Sequence, residues 1–207
     1  MRSAIASRLT IGPLRIVVGA FTIAVLLYTF ALNVAAGDAN PFDYFGYFTN
    51  QTSLLMGVVL IATGVLTVAR RDSPQWLTLL RGAATAYLIV VAVIYNVLVP
   101  GTGSAPPWVS AVLHVAVPAV AVLDWLVVAD RRPLPWRWLW IVLAYPTVWL
   151  VVVLARGSTD GWVPYGFLLP ENGLSPLILH IAALVCAVMV AAVLVWFGSK
   201  LSIYRLR

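Results

Sequence analysis

The chain has 207 residues, of which 62% are hydrophobic and only 10% carry a charged side chain. A soluble domain of this length cannot bury that much apolar surface, so a soluble enzyme is excluded and lipid must cover the remainder. The net charge of +6 gives no reason to expect a nucleic-acid partner, because the positions of the basic residues explain it in another way.

Six apolar runs are long enough to cross a bilayer, whose hydrocarbon core of ~30 Å takes about 20 residues of α-helix. Short connections make consecutive helices antiparallel neighbours in one bundle. The sequence therefore predicts an all-α membrane protein with a single six-helix domain over residues 1–207. The predicted helices cover residues 14–36, 45–69, 82–99, 108–129, 138–155 and 174–198.

Basic residues flank these segments at alternate ends, so that twelve of the thirteen fall on one side of the bundle and Arg156 falls on the other. Because cytoplasmic loops are enriched in lysine and arginine, this pattern predicts a multi-pass protein with both termini in the cytoplasm. The twelve residues on the predicted cytoplasmic side are Arg2, Arg8, Arg15, Arg70, Arg71, Arg81, Arg131, Arg132, Arg137, Lys200, Arg205 and Arg207.

Polar side chains inside membrane helices are costly, which makes them candidates for function. Counted at 1.5 Å per residue from the predicted outer ends, Thr49 lies about 7 Å deep, Asn96 about 6 Å, His114 about 9 Å and His180 about 6 Å. A hydroxyl and an imidazole at one depth are the minimum for acyl transfer, in which the oxygen attacks a carbonyl and the imidazole takes its proton. The depths permit such a site and leave the order of the helices open.

Other polar residues at this level have less specific interpretations. Thr52 and Ser53 lie close after Thr49, and hydroxyls in membrane helices commonly bond the carbonyl four residues earlier or join two helices. The amides of Asn50 and Asn96 are candidates to donate hydrogen bonds to an oxyanion.

The second histidine and the membrane aspartate favour structural roles. His180 lies near the headgroups, where an imidazole commonly donates to a neighbouring carbonyl. Asp124 lies about 15 Å deeper than His114, so it cannot touch that residue. We expect Asp124 to tether two helices or to pair with Arg131 or Arg137.

Prolines and one aromatic connection complete the pattern. Pro118 and Pro146 fall inside predicted helices, where each frees a carbonyl that must be buried against protein or water. The connection 156–173 is rich in glycine and aromatic residues, which suits either the headgroup zone or a lid over a pocket.

Three short motifs follow one another in the chain: Gly46-Tyr47-Phe48-Thr49-Asn50-Gln51, then His114 with Pro118, then Gly161-Trp162-Val163-Pro164-Tyr165. Together they resemble the androgen-induced and androgen-dependent hydrolases of fatty acid esters of hydroxy fatty acids, a family of six-helix membrane proteins. Asp124-Trp125 resembles the bacterial relatives of that family.

The resemblance implies a membrane-embedded threonine hydrolase of fatty-acyl esters, with the nucleophile at Thr49 and the catalytic histidine at His114. We expect a lipid substrate that enters sideways from the outer leaflet, in the cell membrane of a bacterium, with no metal, no cofactor and no nucleic acid. The oligomeric state stays open, and Thr52 is a second candidate nucleophile. The polar residues expected to face the pocket are Asn50, Asn96, Thr52 and His180.

Two other classes of function remain. A haem-binding redox protein is the main alternative, because His114 and His180 lie at similar depth and are candidates for the two axial ligands of one b-type haem. A small transporter or non-catalytic membrane protein is the third, favoured by Asp124 and the two prolines and disfavoured by the lack of inverted repeats.

Overall fold

The computed structural model describes residues 2–98, 100–101, 105–201 and 204–205, with the backbone alone for residues 2–9, 129, 204 and 205. Some residues of the predicted helix boundaries and charge pattern therefore lie outside the described part. They are Val99, Arg207 and the side chains of Arg2, Arg8 and Arg205.

Six helices are long and apolar enough to cross a membrane, which confirms the predicted fold class. They are α1 (Arg2–Ala35), α2 (Phe48–Val68), α3 (Gln75–Leu98), α4 (Pro107–Val127), α5 (Trp136–Thr159) and α6 (Leu174–Gly198). Short helical turns in the connections are Pro41–Tyr44, Gly166–Leu168 and Pro170–Asn172. A two-residue parallel bridge joins β1 (Val128–Ala129) to β2 (Tyr204–Arg205).

Because successive helices alternate in direction, their connections gather at two ends of the bundle. We call one the arginine end, with connections 69–74 and 128–135. We call the other the loop end, with connections 36–47, 99–106 and 160–173.

α3 begins at Gln75, well before the predicted start at Gly82. The charge of Arg81 ended the predicted segment, yet in the structure this side chain is only 2% exposed and pairs with Asp130 at 2.6 Å. An arginine that is paired and hydrogen-bonded can lie within a bundle. Hydropathy alone therefore places this boundary too late.

Glycines allow α1 and α2 to form the most extensive helix pair. A Cβ on Gly19 would lie 2.5 Å from the Gly57 carbonyl oxygen, and a Cβ on Gly64 would lie 2.7 Å from the Gly12 carbonyl oxygen. In membranes such small residues let helix backbones approach closely and gain van der Waals contact. The two glycine pairs therefore fix the register of this antiparallel pair.

α3 lies at the centre of the bundle and packs against α2, α4 and α6. The Tyr87 hydroxyl on this helix donates to the Val142 carbonyl at 2.9 Å. Val142 lies four residues before Pro146, which has no N–H with which to bond that carbonyl. The central helix thus satisfies a carbonyl that the proline of α5 leaves free, as burial away from water requires.

Buried ion pairs close the arginine end. Arg15 Nε donates to Asp124 at 2.7 Å, and Arg81 Nη2 donates to Asp130 at 2.6 Å. Arg15 Nη1 also donates to Asp130 at 2.5 Å, so the four side chains form one network. Burial opposes ionisation of Asp130, but Arg81 and Arg15 outweigh it and hold the pKa of this carboxyl well below its usual range.

Asp124 joins helices as predicted, but the prediction that its partner is Arg131 or Arg137 is wrong. Its main partner is Arg15, on a helix far away in sequence. Arg131 instead lies over the ring of Trp125, with its guanidinium carbon 4.1 Å from the ring centroid. Proximity along the chain was a poor guide, because the packing of α1 against α2 and α4 brings a more buried arginine to the carboxylate.

Candidate active site

A cavity of about 520 Å³ lies toward the loop end, and each of the six helices contributes to its wall. This volume is within the range of small-molecule sites, ~300–1,000 Å³. Its mouth is polar and includes Asn33, Asp38 and Asp43. The wall farther from the connections is apolar and includes Val90, Val91, Ile94, Leu143, Leu150, Ile181, Leu184 and Val188.

Thr49 lines this cavity from the first turn of α2. Tyr47, the residue just before this helix, has an extended backbone, and its side chain does not cap the helix. The first N–H groups of a helix have no partner within the helix and carry partial positive charge. The Thr49 hydroxyl therefore lies where negative charge on an oxygen is favoured.

His114 lines the same cavity from a distorted part of α4. Residues Val112–Ala116 form a π-helical turn that ends two residues before Pro118, which lacks the N–H that would bond the His114 carbonyl in a regular helix. Asn96 Nδ2 donates to that carbonyl at 3.3 Å. The distortion around the histidine is thus supported from α3.

The hydrogen bond of the His114 ring selects its tautomer. Nδ1 lies 2.9 Å from the Ser110 carbonyl oxygen, which can only accept, so Nδ1 carries the proton. The ring also stacks on Tyr95, with centroids 3.6 Å apart and planes 9° apart. Nε2 remains unprotonated and has no hydrogen-bond partner in the described part of the chain, which is the state that a general base requires.

The first and third sequence motifs meet at the loop end. A Cβ on Gly46 would overlap the ring of Trp162, so only glycine fits there. Tyr47 makes edge contacts with Trp162 at 5.8 Å and with Tyr165 at 5.9 Å between centroids. Trp149 Nε1 donates to the Gly46 carbonyl at 2.9 Å. Residues more than a hundred positions apart in sequence thus build one wall of the cavity mouth.

Tyr165 adds a third polar group to the cavity wall near Thr49. Its hydroxyl lies close enough to the Thr49 side chain and to the backbone N–H groups of Phe48 and Thr49 for these donors to act on it electrostatically. Burial raises the pKa of the Tyr165 hydroxyl, and these donors oppose the rise without reversing it. Tyr165 is therefore a neutral phenol whose own proton remains available to donate. The sequence motif contained Tyr165, but its closeness to Thr49 depends on how the connection 160–173 folds back.

Arg156 fastens two connections together at this end. Its Nη2 lies 2.6 Å from Asp43 and 2.7 Å from Asp160, and its guanidinium lies 4.3 Å from the ring centroid of Trp162. The α1–α2 connection is thereby tied to the α5–α6 connection. The one basic residue predicted on this side is fully engaged in holding the mouth of the cavity.

Two other polar residues of α2 have structural partners. Asn50 lines the cavity, but its Nδ2 donates to the Tyr44 carbonyl at 2.7 Å. The Thr52 hydroxyl donates to the Phe48 carbonyl at 2.8 Å and does not line the cavity. Of the two candidate nucleophiles, the geometry therefore favours Thr49.

Asn96 and His180 lie outside the cavity wall, in contrast to the prediction that they face the pocket. The Asn96 amide is exposed and bonds carbonyls on α3 and α4. The His180 ring lies 5.7 Å from Phe167, and its buried Nδ1 has no partner in the described part of the chain. Depth was predicted from sequence, whereas the direction of each side chain depends on helix rotation.

Comparisons with known protein families, curated proteins and solved structures find no match for this chain. The cavity itself holds a hydroxyl at Thr49 and an imidazole with a free nitrogen at His114, beside an apolar chamber. These are the groups that acyl transfer needs. The haem alternative needs two imidazoles that face one space, and His180 does not line this one.

Proposed function

We propose that this protein is a membrane-embedded hydrolase of fatty-acyl esters, with Thr49 as nucleophile and His114 as general base. The observation that carries the proposal is that both side chains line one cavity with an apolar inner wall. The motif order that resembles the hydrolases of fatty acid esters of hydroxy fatty acids supports the same assignment.

The reaction has two steps. The Thr49 oxygen attacks the ester carbonyl while Nε2 of His114 takes the hydroxyl proton, and the imidazolium then protonates the departing alcohol. Water, activated by the same imidazole, next hydrolyses the acyl-threonine ester and releases the fatty acid. The N–H groups at the start of α2 and the Tyr165 hydroxyl stabilise the negative oxygen of each tetrahedral intermediate.

The apolar chamber holds the acyl chain. Each buried methylene contributes about 0.8 kcal/mol, so a long chain supplies most of the binding free energy. α6 packs against Trp136–Leu143, the first turns of α5, whereas farther along the cavity lies between Leu150 of α5 and Ile181 of α6. A lipid therefore enters between these two helices, directly from the bilayer.

The loop end faces away from the cytoplasm in this proposal, in the cell membrane of a bacterium. The excess of basic residues at the opposite end supports this orientation. A reporter fused after Arg207 should then be cytoplasmic, and one inserted in the connection 160–173 should be exterior. Two reporters on the same side of the membrane would rule out six crossings.

Covalent labelling tests the chemistry directly. The purified protein should react with a fluorophosphonate probe and hydrolyse a fatty-acyl ester, and Thr49→Ala should abolish both. Thr52→Ala is the matched control, because it removes the neighbouring hydroxyl of the same helix, which bonds Phe48 and does not line the cavity. Full activity in Thr49→Ala together with full activity in His114→Ala would end the hydrolase proposal.

A further inference from the structure

The charge at the loop end is opposite to that of the whole chain. The connections 36–47, 99–106 and 160–173, with Arg156 beside them, contain four carboxylates and one guanidinium, although the chain carries +6 overall. Among the described residues that line the cavity, two are charged, and both are acidic: Asp38 and Asp43. The mouth of the cavity therefore has a negative potential.

Arg156, the one basic residue at the loop end, is not available to bind an anionic ligand. Arg156 does not line the cavity, and its Nη2 is shared between Asp43 and Asp160. An anionic group at the mouth would lose hydration and find no free cation among the described residues of the cavity wall to replace it.

Of the two acidic residues that line the cavity, Asp43 is paired with Arg156, and Asp38 is the one whose carboxylate remains unpaired among the described residues. It is exposed, lines the cavity and has no side-chain hydrogen bond or ion pair with any described residue. Its charge acts on the site: burial raises the pKa of Tyr47 on the cavity wall, and Asp38 and Asp43 raise it further. A cleft with low-dielectric walls concentrates such a field on whatever enters it.

We propose that the cavity accepts acyl esters whose polar end is uncharged or cationic and discriminates against esters whose polar end carries a carboxylate or a phosphate. This inference rests on the proposed hydrolase function and specifies its substrate class. It separates this site from hydrolases of esters of hydroxy fatty acids, whose substrates carry a free carboxylate.

Three esters with the same acyl chain and with a trimethylammonium, hydroxyl or carboxylate group on the alcohol test this selectivity in a nonionic detergent. At low salt we expect kcat/KM to be about tenfold higher for the cationic ester than for the carboxylate ester, with the neutral ester between them. The ratio should shrink as ionic strength rises. An equal or higher value for the carboxylate ester would overturn the inference.

Variants locate the origin of the selectivity. Asp38→Asn should lower the ratio of cationic to carboxylate ester turnover, and Asp38→Lys should bring it to one or below. Glu171→Gln is the control, because Glu171 is an exposed acid of the same end that does not line the cavity. A ratio that stays unchanged in both Asp38 variants would refute the assignment.

A binding measurement separates this inference from the hydrolase proposal. Ether analogues of the three lipids cannot be hydrolysed, and with a brominated chain they should quench Trp149 and Trp162, which line the cavity. If no ester is cleaved but the ethers bind in the order cationic, neutral, anionic, hydrolysis fails and the charge selectivity stands. If the anionic ether binds most tightly, the charge selectivity fails whatever the catalytic result.

Discussion

At the arginine end, the arginines that form ion pairs are almost fully buried, whereas at the loop end Arg156 forms its ion pairs with 21% of its side chain exposed. The four side chains of the buried network do not line the cavity, whereas Asp43, a partner of Arg156, lies at its mouth. The same two residue types therefore close the bundle at one end and hold connections around an opening at the other. We therefore expect substitutions at the arginine end to lower stability and substitutions at the cavity to lower catalysis.

Catalysis provides the largest expected effect. Thr49→Ala and His114→Ala should each lower kcat by at least about a thousandfold, the scale measured for nucleophile and base in hydrolases, with little change in thermal stability. The double variant should be no worse than either single one, because a base without a nucleophile has nothing to activate. Rates of all three decide this, and losses that multiply would show that the two residues act independently.

The pH profile of the same reaction checks the base. A general base must be neutral, so hydrolysis should fall on acidification through the pKa of His114, which is ~6.5 for an ordinary imidazole. His180→Ala should keep that profile, because His180 lies outside the cavity wall. A profile that shifts in His180→Ala and is intact in His114→Gln would reverse the two assignments.

A substitution in the ion-pair network of the arginine end should lower the stability of the protein. Asp130→Asn removes one carboxylate from a network that leaves Arg15 and Arg81 buried, and a broken buried pair costs about 3–5 kcal/mol of unfolding free energy. Unfolding in a mild detergent measures this loss. Ester hydrolysis by the remaining folded protein should be unchanged, since the network does not line the cavity.

Low pH should also lower stability through the ion-pair network of the arginine end. The pKa of Asp130 is lower in the folded state than in the unfolded state, so its stabilisation is complete above the ordinary aspartate pKa of ~3.9. That stabilisation is lost as the pH falls below this value. The parent chain should therefore lose stability more steeply than Asp130→Asn below about pH 4. Parallel acid limbs in the two proteins would show that Asp130 is not a source of acid sensitivity.

The sequence predicted features that depend on a single helix, and it did not predict which side chains of different helices contact each other. Runs of apolar residues predicted all six helices, and Thr49 and His114, which were predicted to lie at one depth, both line the cavity. The start of α3 was missed because Arg81 finds its partner 49 positions away. The structural use of Asn96 was missed because hydropathy gives no information on the rotation of a helix about its axis.

Replacing Tyr165, at the loop end, should also lower the catalytic rate, but by less than replacing Thr49 or His114. Tyr165→Phe keeps the ring that packs on Tyr47 and Trp149 and removes only the hydroxyl beside Thr49. If this hydroxyl donates to the oxyanion, kcat should fall about a hundredfold with KM nearly constant. A rise in KM at constant kcat would instead show that Tyr165 only shapes the mouth.

The smallest effect belongs to the ion pairs of the loop end. Arg156→Gln removes bonds to Asp43 and Asp160, but a partly exposed pair is screened by water and salt and contributes at most about 1 kcal/mol. The unfolding free energy should therefore fall by less than that, and by still less in high salt, in contrast to Asp130→Asn. The two connections lose their common tether, so proteolysis within residues 160–173 should become faster while the bundle stays folded. A loss of stability as large as that of Asp130→Asn would mean that the loop end is as rigid as the arginine end, and the division between a closed end and an open one would no longer hold.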